Sequence, residues 1–362
     1  MRLETKTVTI LLCAALALSA CSKKTITPAE DPQPAEVGFT ASSQAVWVKG
    51  ETDPKTTFPY TNFGVWGIAR HQHVESPYIL WSTNQLTEVS APEGTLTNQE
   101  TSNVVFTPAT AAYWLGGYEY SFLAIAPYTD PGFSLVGITQ ASGSNTSDSM
   151  SFTYDMSSKY ENPNTYTFDL LGGAAKTDGP VAGGRTSEQE LTFWHLLSKL
   201  SIKVIFVDAN GTEVTSNNNA VTNLSISNVN PKVNFTLKYI KTAGSTGNLS
   251  VVPVADSQAQ SKTIDFDASS AKDENGRWNA HIIPQTISNF VIDIAYNVTG
   301  SDGNVTYYND SISLANSTPA TYDPNGQYNW TIKINPKGQI GFHVQIADWN
   351  EPEDGMNDFE IL

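Results

Sequence analysis

Residues 328–346 read "YNWTIKINPKGQIGFHVQI". In the first half Tyr328, Trp330, Ile332 and Ile334 alternate with polar residues. In the second, Ile340, Phe342, Val344 and Ile346 alternate with Gly341, His343, Gln345 and Ala347. A period of two puts each apolar set on one face of a β-strand. Between them, Asn335-Pro336-Lys337-Gly338 places proline and glycine at the second and fourth positions of a type I turn. The stretch is therefore a β-hairpin. Chain ends fray unless something ties them down, so the second strand must complete a sheet, either this molecule's own or a neighbour's.

The same alternation recurs upstream. "YEYSFLAIAPY" sets Tyr118, Tyr120, Phe122, Ala124 and Ala126 on one face, and "LSIKVIFV" does so with Leu200, Ile202, Val204 and Phe206. Val233, Phe235, Leu237 and Tyr239 form a third such set, and Phe290, Ile292, Ile294 and Tyr296 a fourth. Short alternating runs separated by Gly, Pro, Asn, Asp and Ser predict an all-β fold of tandem antiparallel β-sandwiches with little helix. The segment "LTFWHLLSKL" (191–200) is read as the opening of a strand, because "LSKLSIKV" already alternates. The glycine-rich stretch 170–190 is the expected domain boundary, with a first domain over 37–188 and a second over 189–362. No short-period repeat of the propeller or solenoid type interrupts this pattern.

The N-terminus, "MRLETKTVTILLCAALALSAC", has positive Arg2 and Lys6 ahead of a short apolar run that ends in small residues. This is the pattern of a secretory signal peptide. A membrane span needs about 20 apolar residues, and Thr7 to Ala20 supplies 14, so a transmembrane helix is the weaker reading. Leu18-Ser19-Ala20-Cys21 resembles the lipobox of bacterial lipoproteins, in which cleavage falls between Ala20 and Cys21 and the Cys21 thiol takes lipid. Several acyl chains on one residue anchor stably where one is marginal. An ordinary signal peptide with a chance cysteine is the alternative. Residues 1–20 are then the signal, and 21–36, with three prolines and few apolar residues, a flexible tether.

Cleavage after Ala20 leaves 342 of the 362 residues and no pair of thiols, since Cys13 departs and Cys21 is lipidated. Stability in an oxidising compartment must then come from burial, which a chain this long supplies. The net charge is −16, and the removed segment carries +1, so the mature chain is near −17. No basic cluster tracks a phosphate backbone, which argues against nucleic-acid binding. The acidity serves solubility.

Chemistry is sparse. His71-Gln72-His73 with Glu75 would put two imidazoles on one face of a strand, but no second ligand pair sits at metal spacing, and a solvated strand end is the favoured reading. No HExxH, Walker loop, GxSxG or GxGxxG sequence occurs. Carboxylates could still meet in space for glycoside hydrolysis. The 8 Trp and 15 Tyr could stack on sugars, though most fit alternating core positions. No catalytic residue, metal site or cofactor is expected.

Three segments carry a family resemblance. "VVFTPATAAYWLGGYEYSFLAIAPY" (104–128) has an aromatic, Trp-containing turn leading to a strand that ends in Ala-x-Ala-Pro. "LTFWHLLSKLSIKV" (191–204) places Phe193, His195, Ser198, Lys199 and Leu200 in an Phe-x-His-x-x-Ser-Lys-Leu pattern, and "GQYNWTIKINPKGQIGFHVQIADW" closes with Asp348-Trp349. With the lipobox, these resemble the fimbrillins of Bacteroidales, the type V pilins, in order along the chain. The resemblance implies transthyretin-like sandwich domains and a non-enzymatic role in cell-surface fimbriae at the outer membrane.

It also implies an assembly mechanism: proteolytic removal of the first strand leaves a groove, and C-terminal strands of the next subunit fill it. Ile340, Phe342, Val344, Ile346 and Trp349, within residues 340–362, are then the donor-strand candidates. The partners are copies of the chain or other fimbrillins, the outer membrane through lipid, and host protein or glycan. The competing reading of 340–349 is the domain's own last strand. Family stalk subunits are cut after an arginine, but the loop "KGETDPKTTFP" offers only Lys49 and Lys55, and Arg70 lies well into the next strand. That departure keeps an anchor, a tip subunit or a non-polymerising surface adhesin open. Asp148-Ser149-Met150 and Asp310-Ser311-Ile312 resemble the acceptor pattern for O-glycans on exported proteins of these bacteria, which marks Ser149 and Ser311.

Overall fold

The computed structural model describes residues 35–361 apart from 47–54, 58–59, 61, 72–77, 81–84, 90–104, 129, 142–146, 162–168, 183–187, 209, 216–218, 241–247, 267–271, 274, 288, 301, 315–320, 336–339 and 349–356. The signal and lipobox readings fall outside the described residues, as do the tether up to residue 34 and the turn at 336–338. Ala35 and Glu36, read as the end of the tether, instead join the fold, because Ala35 packs on the first core and Glu36 pairs with Tyr113.

Strands dominate. In chain order they are β1 (Phe39–Val46), β2 (Lys55–Thr57), β3 (Asn62–His71), β4 (Tyr78–Ile79), β5 (Gln85–Val89), β6 (Val105–Pro108), β7 (Tyr118–Ala126), β8 (Phe133–Thr139), β9 (Ser149–Asp155), β10 (Leu171–Lys176), β11 (Gln189–His195) and β12 (Ser198–Phe206). Then come β13 (Ala220–Val229), β14 (Lys232–Ile240), β15 (Asn248–Ala255), β16 (Lys262–Phe266), β17 (Trp278–Ile282), β18 (Gln285–Thr286), β19 (Val291–Thr299), β20 (Val305–Ser313), β21 (Thr321–Tyr322), β22 (Gly326–Ile334), β23 (Ile340–Asp348) and β24 (Asn357–Ile361). A single turn of helix, α1 (Ser157–Tyr160), follows β9. The all-β expectation holds. "LTFWHLLSKL" is strand, break and strand: β11 ends at His195 and β12 begins at Ser198.

The first strands close on themselves. Pairing runs β11-β10-β7-β3-β5-β6-β1, and β1 returns to pair in parallel with β11, while β2 lies along β1 and β4 along β3. Among the described residues, closure gives each of these seven strands a partner on both sides. Inside sits an aromatic core that includes Phe39, Phe63, Phe106, Trp114, Tyr120, Phe122 and Phe193. The second core is shared by three sheets, of order β17-β12-β22-β23-β24, β16-β13-β19-β20 and β15-β14-β9-β8. The alternating sets read from sequence point into it: Leu200 and Ile202, Val233, Phe235 and Leu237, Ile292, Ile294 and Tyr296, and Trp330, Ile332 and Ile334 are all buried.

Three observations go beyond the alternation. Strand β7 is buried on both faces: Tyr120, Phe122 and Ala124 enter the first core, Leu123 and Ile125 the second. Strand order also crosses residue 188, because β11 belongs to the closed set while β9 pairs with β14, which puts β8 and β9 in one sheet with β14 and β15. Each half, moreover, has an early strand running parallel to a late one: β1 with β11, and β12 with β22.

The glycines at 172 and 173 belong to strand β10, not to a linker. A Cβ at Gly173 would lie 2.8–3.0 Å from the Phe193 ring, and one at Gly172 would lie 2.9 Å from Leu196 and 3.0 Å from Leu237. Bulky neighbours press on both faces of β10, so only glycine lets them approach. Gly173→Val should therefore cost about 1–3 kcal/mol by overpacking, read as a lowered urea midpoint with an unchanged slope. A midpoint within error of the parent would mean the Phe193 ring has room to turn aside.

Candidate functional site

Strand β1 occupies a slot with two walls. On one side Phe39, Thr40, Ala41, Ser42 and Ser43 pair in parallel with Gln189, Glu190, Leu191, Thr192 and Phe193. On the other, Phe39 and Thr40 lie opposite Phe106 and Val105, and Ser42 and Val46 opposite Thr57 and Lys55 of β2. The approach to β1 is fixed as well. The Val37 N–H donates to the Ala112 carbonyl at 2.7 Å, the Trp114 N–H to Ala35 at 3.0 Å, and the Gln189 N–H to Gly38 at 2.9 Å.

Alternation along β1 turns Val37, Phe39 and Ala41 inward, at 1%, 0% and 3% exposure. The Phe39 ring meets Phe122 edge-on at 5.0 Å and Phe63 at 6.0 Å. Phe63 in turn lies 5.1 Å from Phe106 and 5.3 Å from Phe193. At one end Trp114 packs on Tyr120 at 4.8 Å, and the Tyr120 hydroxyl accepts from the Leu115 N–H at 2.6 Å. The slot is a row of apolar pockets with backbone partners on both sides. Such a site recognises an extended strand.

The processing candidates flank this strand. Lys49 lies outside the described residues, while Lys55 opens β2 opposite Val46. Arg70 is tied down inside β3, opposite Glu119. Its guanidinium forks onto the Asp148 carboxylate, with Nη1 2.6 Å from Oδ2 and a second, shorter contact to Oδ1. A bidentate pair of this kind within a paired strand is a poor protease substrate.

The donor candidates lie at the opposite end of the chain. Strand β23 runs antiparallel to β22, with Ile340, Phe342, Val344 and Ile346 opposite Ile334, Ile332, Trp330 and Tyr328. Strand β24 covers its far side and forms the margin of that sheet. Ile340 is half-buried against the second core. For Phe342, Val344 and Ile346 the described part is the backbone, and Trp349 lies outside the described residues. Of the glycan candidates, Ser149 is 6% exposed, whereas Ser311 is exposed on β20 and its hydroxyl donates to Asp293.

The remaining polar groups serve the interior. The His71 ring lies tilted against Tyr118 with ring centroids 4.9 Å apart, and His73 and Glu75 lie outside the described residues. Among the described residues no three His, Cys, Asp or Glu side chains gather to hold a metal ion, and no helix is long and apolar enough to cross a membrane. Two buried pairs escaped the sequence reading because their partners are far apart in the chain. His195 meets Asp169 through Nδ1 at 1% exposure, and the Tyr60 hydroxyl donates to the Asp169 carbonyl at 2.5 Å. Burial, reinforced by Asp169, pushes the Tyr60 hydroxyl well above the usual phenol range.

Asp130 receives the Lys159 ammonium at 2.6 Å on both oxygens, and also the Tyr154 hydroxyl at 2.9 Å. His195, at 1% side-chain exposure beside Asp169 at 12%, is closed off from solvent, and the pair braces the fold. Trp114, Trp278, Trp330, Tyr120, Tyr154, Tyr296 and Tyr322 are fully buried, which assigns them to packing. Among the described residues Tyr307, at 72% exposure, and Tyr113, at 43%, stand out to solvent.

Similar solved structures are distant in sequence. A fimbrial protein from Bacteroides vulgatus ATCC 8482 is 15% identical, with TM-score 0.49, over 87% of this chain and 99% of that one. A candidate cell adhesion protein from Bacteroides uniformis ATCC 8492 is also 15% identical, with TM-score 0.44, over 87% and 98%. No curated protein matches the chain. The model of the family described as fimbrillin-like matches residues 61–349. That span covers β3 to β23, the second core and all of the first core but the residues that β1 and its approach supply, and the chain belongs to the fimbrillin-like family.

Proposed function

We propose that this protein is a structural, non-enzymatic subunit of cell-surface fimbriae, exported as a lipoprotein anchored through Cys21 in the outer membrane. In this reading a cut in the loop holding Lys49 and Lys55 releases β1, and the C-terminal strands of a neighbouring copy, or of another fimbrillin, enter the slot. The observation that carries it is the pairing of β1: an apolar strand held between β11 and β6, just upstream of the lysine-bearing loop. Losing it leaves unpaired backbone groups and empty pockets, which a strand can fill. The β23–β24 hairpin lies at a sheet margin, so it can leave without breaking the sheet's interior. Head-to-tail repetition of such a contact does not close, and a filament grows.

A second reading is a surface adhesin that binds glycan or host protein without polymerising. The absence of arginine from residues 47–57 favours it, as does the exposed Tyr307 beside Val305 on β20. Ser311, exposed on the same strand, is the better placed of the two O-glycan candidates.

Limited trypsin digestion of the mature protein separates the two, followed by mass spectrometry of the new N-terminus and electron microscopy. A first cut after Lys49 or Lys55, with Arg70 intact and filaments appearing over hours, is expected for the subunit. A protein that resists cleavage there and stays monomeric is the adhesin.

A further inference from the structure

The sheet of order β16-β13-β19-β20 packs one face on the second core and turns the other outward. Ile292, Ile294 and Tyr296 of β19 point inward, so Asp293, Ala295 and Asn297 point out. On β20 the outward set is Val305, Tyr307, Asn309 and Ser311, all exposed. Register sets these side by side: Asn297 lies opposite Tyr307, Ala295 opposite Asn309, and Asp293 opposite Ser311. We infer that this face binds a neutral oligosaccharide, with a sugar ring stacked on Tyr307 and hydroxyls held by Asn297, Asn309 and Asp293. This deepens the surface-adhesin reading by naming its ligand class, and rests on that reading.

The polar groups are already aimed. The Asn297 amide oxygen accepts from the Ala220 N–H at 2.9 Å, and the Asn219 amide oxygen accepts from the Thr299 N–H at 2.9 Å. A backbone N–H is met by the oxygen of an amide and not by its nitrogen, so each NH2 group is the end left to face a ligand. The Ser311 hydroxyl donates to one Asp293 oxygen, and the other carboxylate oxygen stays an acceptor. Ala295, between Asn297 and Asp293, keeps the floor low. Tyr307 stands beside this row at 72% exposure. A sugar matches such a surface: each hydroxyl both donates and accepts, and the C–H face of its ring packs on an aromatic one.

Charge rules out other occupants. Strands β13, β19 and β20 carry no Lys, Arg or His. With Asp293 facing outward, a nucleic acid, an anionic lipid surface or an acidic glycan would be repelled. Val305 and Tyr307 are the large apolar side chains exposed here, too few for the apolar centre of a protein interface. A protein would also have to cover the amides and the carboxylate, which is costly wherever a partner group is missing. A neutral sugar meets neither penalty.

Isothermal titration of the mature chain carrying Cys21→Ser tests this, with maltohexaose, cellohexaose, mannohexaose and hexagalacturonate as the probes. At least one neutral hexaose is expected to bind roughly tenfold or more tightly than the acidic one. Tyr307→Ala should weaken that binding roughly tenfold, and Tyr307→Phe, which keeps the ring, should stay within about twofold. Asn309→Ala should weaken it roughly fivefold. Tyr307 and Asn309 are exposed, so these variants should melt with the parent, and Tyr113→Ala, at the other exposed tyrosine, should bind as the parent does. Binding of no neutral hexaose overturns the inference, and so does binding that Tyr307→Ala leaves unchanged. Sedimentation at rising concentration checks the rival occupant: self-association abolished by Tyr307→Ala would give the face to a second copy of the chain and overturn the sugar. Electron microscopy after trypsin scores the adhesin reading separately. Filaments overturn that reading whether or not sugar binds, while a monomer that binds no sugar overturns this inference alone.

Discussion

Phe39→Ala should lower stability by about 3–5 kcal/mol, the usual cost of emptying a phenylalanine site in a packed core. Phe39 is fully buried, and its ring is gripped between Phe122 and Phe63. Those rings are themselves wedged against Phe106, Phe193 and Tyr120. Such a cluster cannot collapse into the space without several rings turning together, so relaxation recovers little. Thr40→Ala, one residue on and half-buried, should stay within about 0.5 kcal/mol.

The location of the loss is as informative as its size. If β1 is a separable strand, hydrogen exchange should rise first in β1, β6 and β11, with β13, β19 and β22 still protected. Trypsin should then reach Lys49 and Lys55 sooner in the variant than in the parent. Uniform loss of protection across both cores would instead show β1 to be integral to a single cooperative unit. A cost below about 1 kcal/mol would mean the pocket has slack.

What the sequence revealed follows from how local each signal is. The hairpin at 328–346 was legible because its alternation and its turn sit within 19 residues, and the register Ile334–Ile340 through Gly326–Asp348 follows. The sets on β12, β14 and β19 were legible for the same reason. Strand β7 was half legible. Alternation marked Tyr120, Phe122 and Ala124, yet Leu123 and Ile125 are buried as well, because the strand separates two cores and a period-two pattern assumes one wet face.

Strand β10 was misleading, since Gly172 and Gly173 carry a turn composition for a packing reason: Phe193, Leu196 and Leu237 occupy the space of their side chains. The parallel partnership of β1 with β11 joins residues 150 apart, Phe39 with Gln189 for example, and no local pattern encodes it. The site itself was partly readable. Apolar Val37, Phe39 and Ala41 alternate in the sequence, but only their burial shows that this face fills the slot.

The buried ion pair shows a similar gap between sequence and structure, and it carries the second large effect. Asp130, at 3% side-chain exposure, accepts from the Lys159 ammonium on both oxygens and from the Gly132 N–H at 2.8 Å. Lys159 also lies 4.2 Å above the Tyr154 ring and touches the Tyr154 hydroxyl. Lys159→Met should cost about 3–5 kcal/mol at neutral pH, because it leaves a buried carboxylate without its counter-charge. Adding Asp130→Asn should recover at least half of that, since the amide oxygen can still accept from the Gly132 N–H, the amide NH2 can donate to the Tyr154 hydroxyl, and the buried charge is gone.

The pH dependence follows from the direction of each shift. Burial pushes the Asp130 carboxyl up, but Lys159, the Gly132 N–H and Tyr154 outweigh it and hold it below the usual carboxylate range. A lowered constant in the folded state gives stability that is present above the ordinary aspartate value near 4 and is lost as the pH falls below it. Burial lowers the Lys159 ammonium against the pull of Asp130, so raising the pH toward the ordinary lysine range does not by itself unfold the protein. In Lys159→Met the sign at Asp130 reverses: the isolated carboxyl takes up a proton on folding, and the variant's deficit should shrink between pH 7 and pH 4. Urea unfolding at those two pH values measures it. A deficit that stays constant would show the ammonium to act through packing on Tyr154 and not through charge.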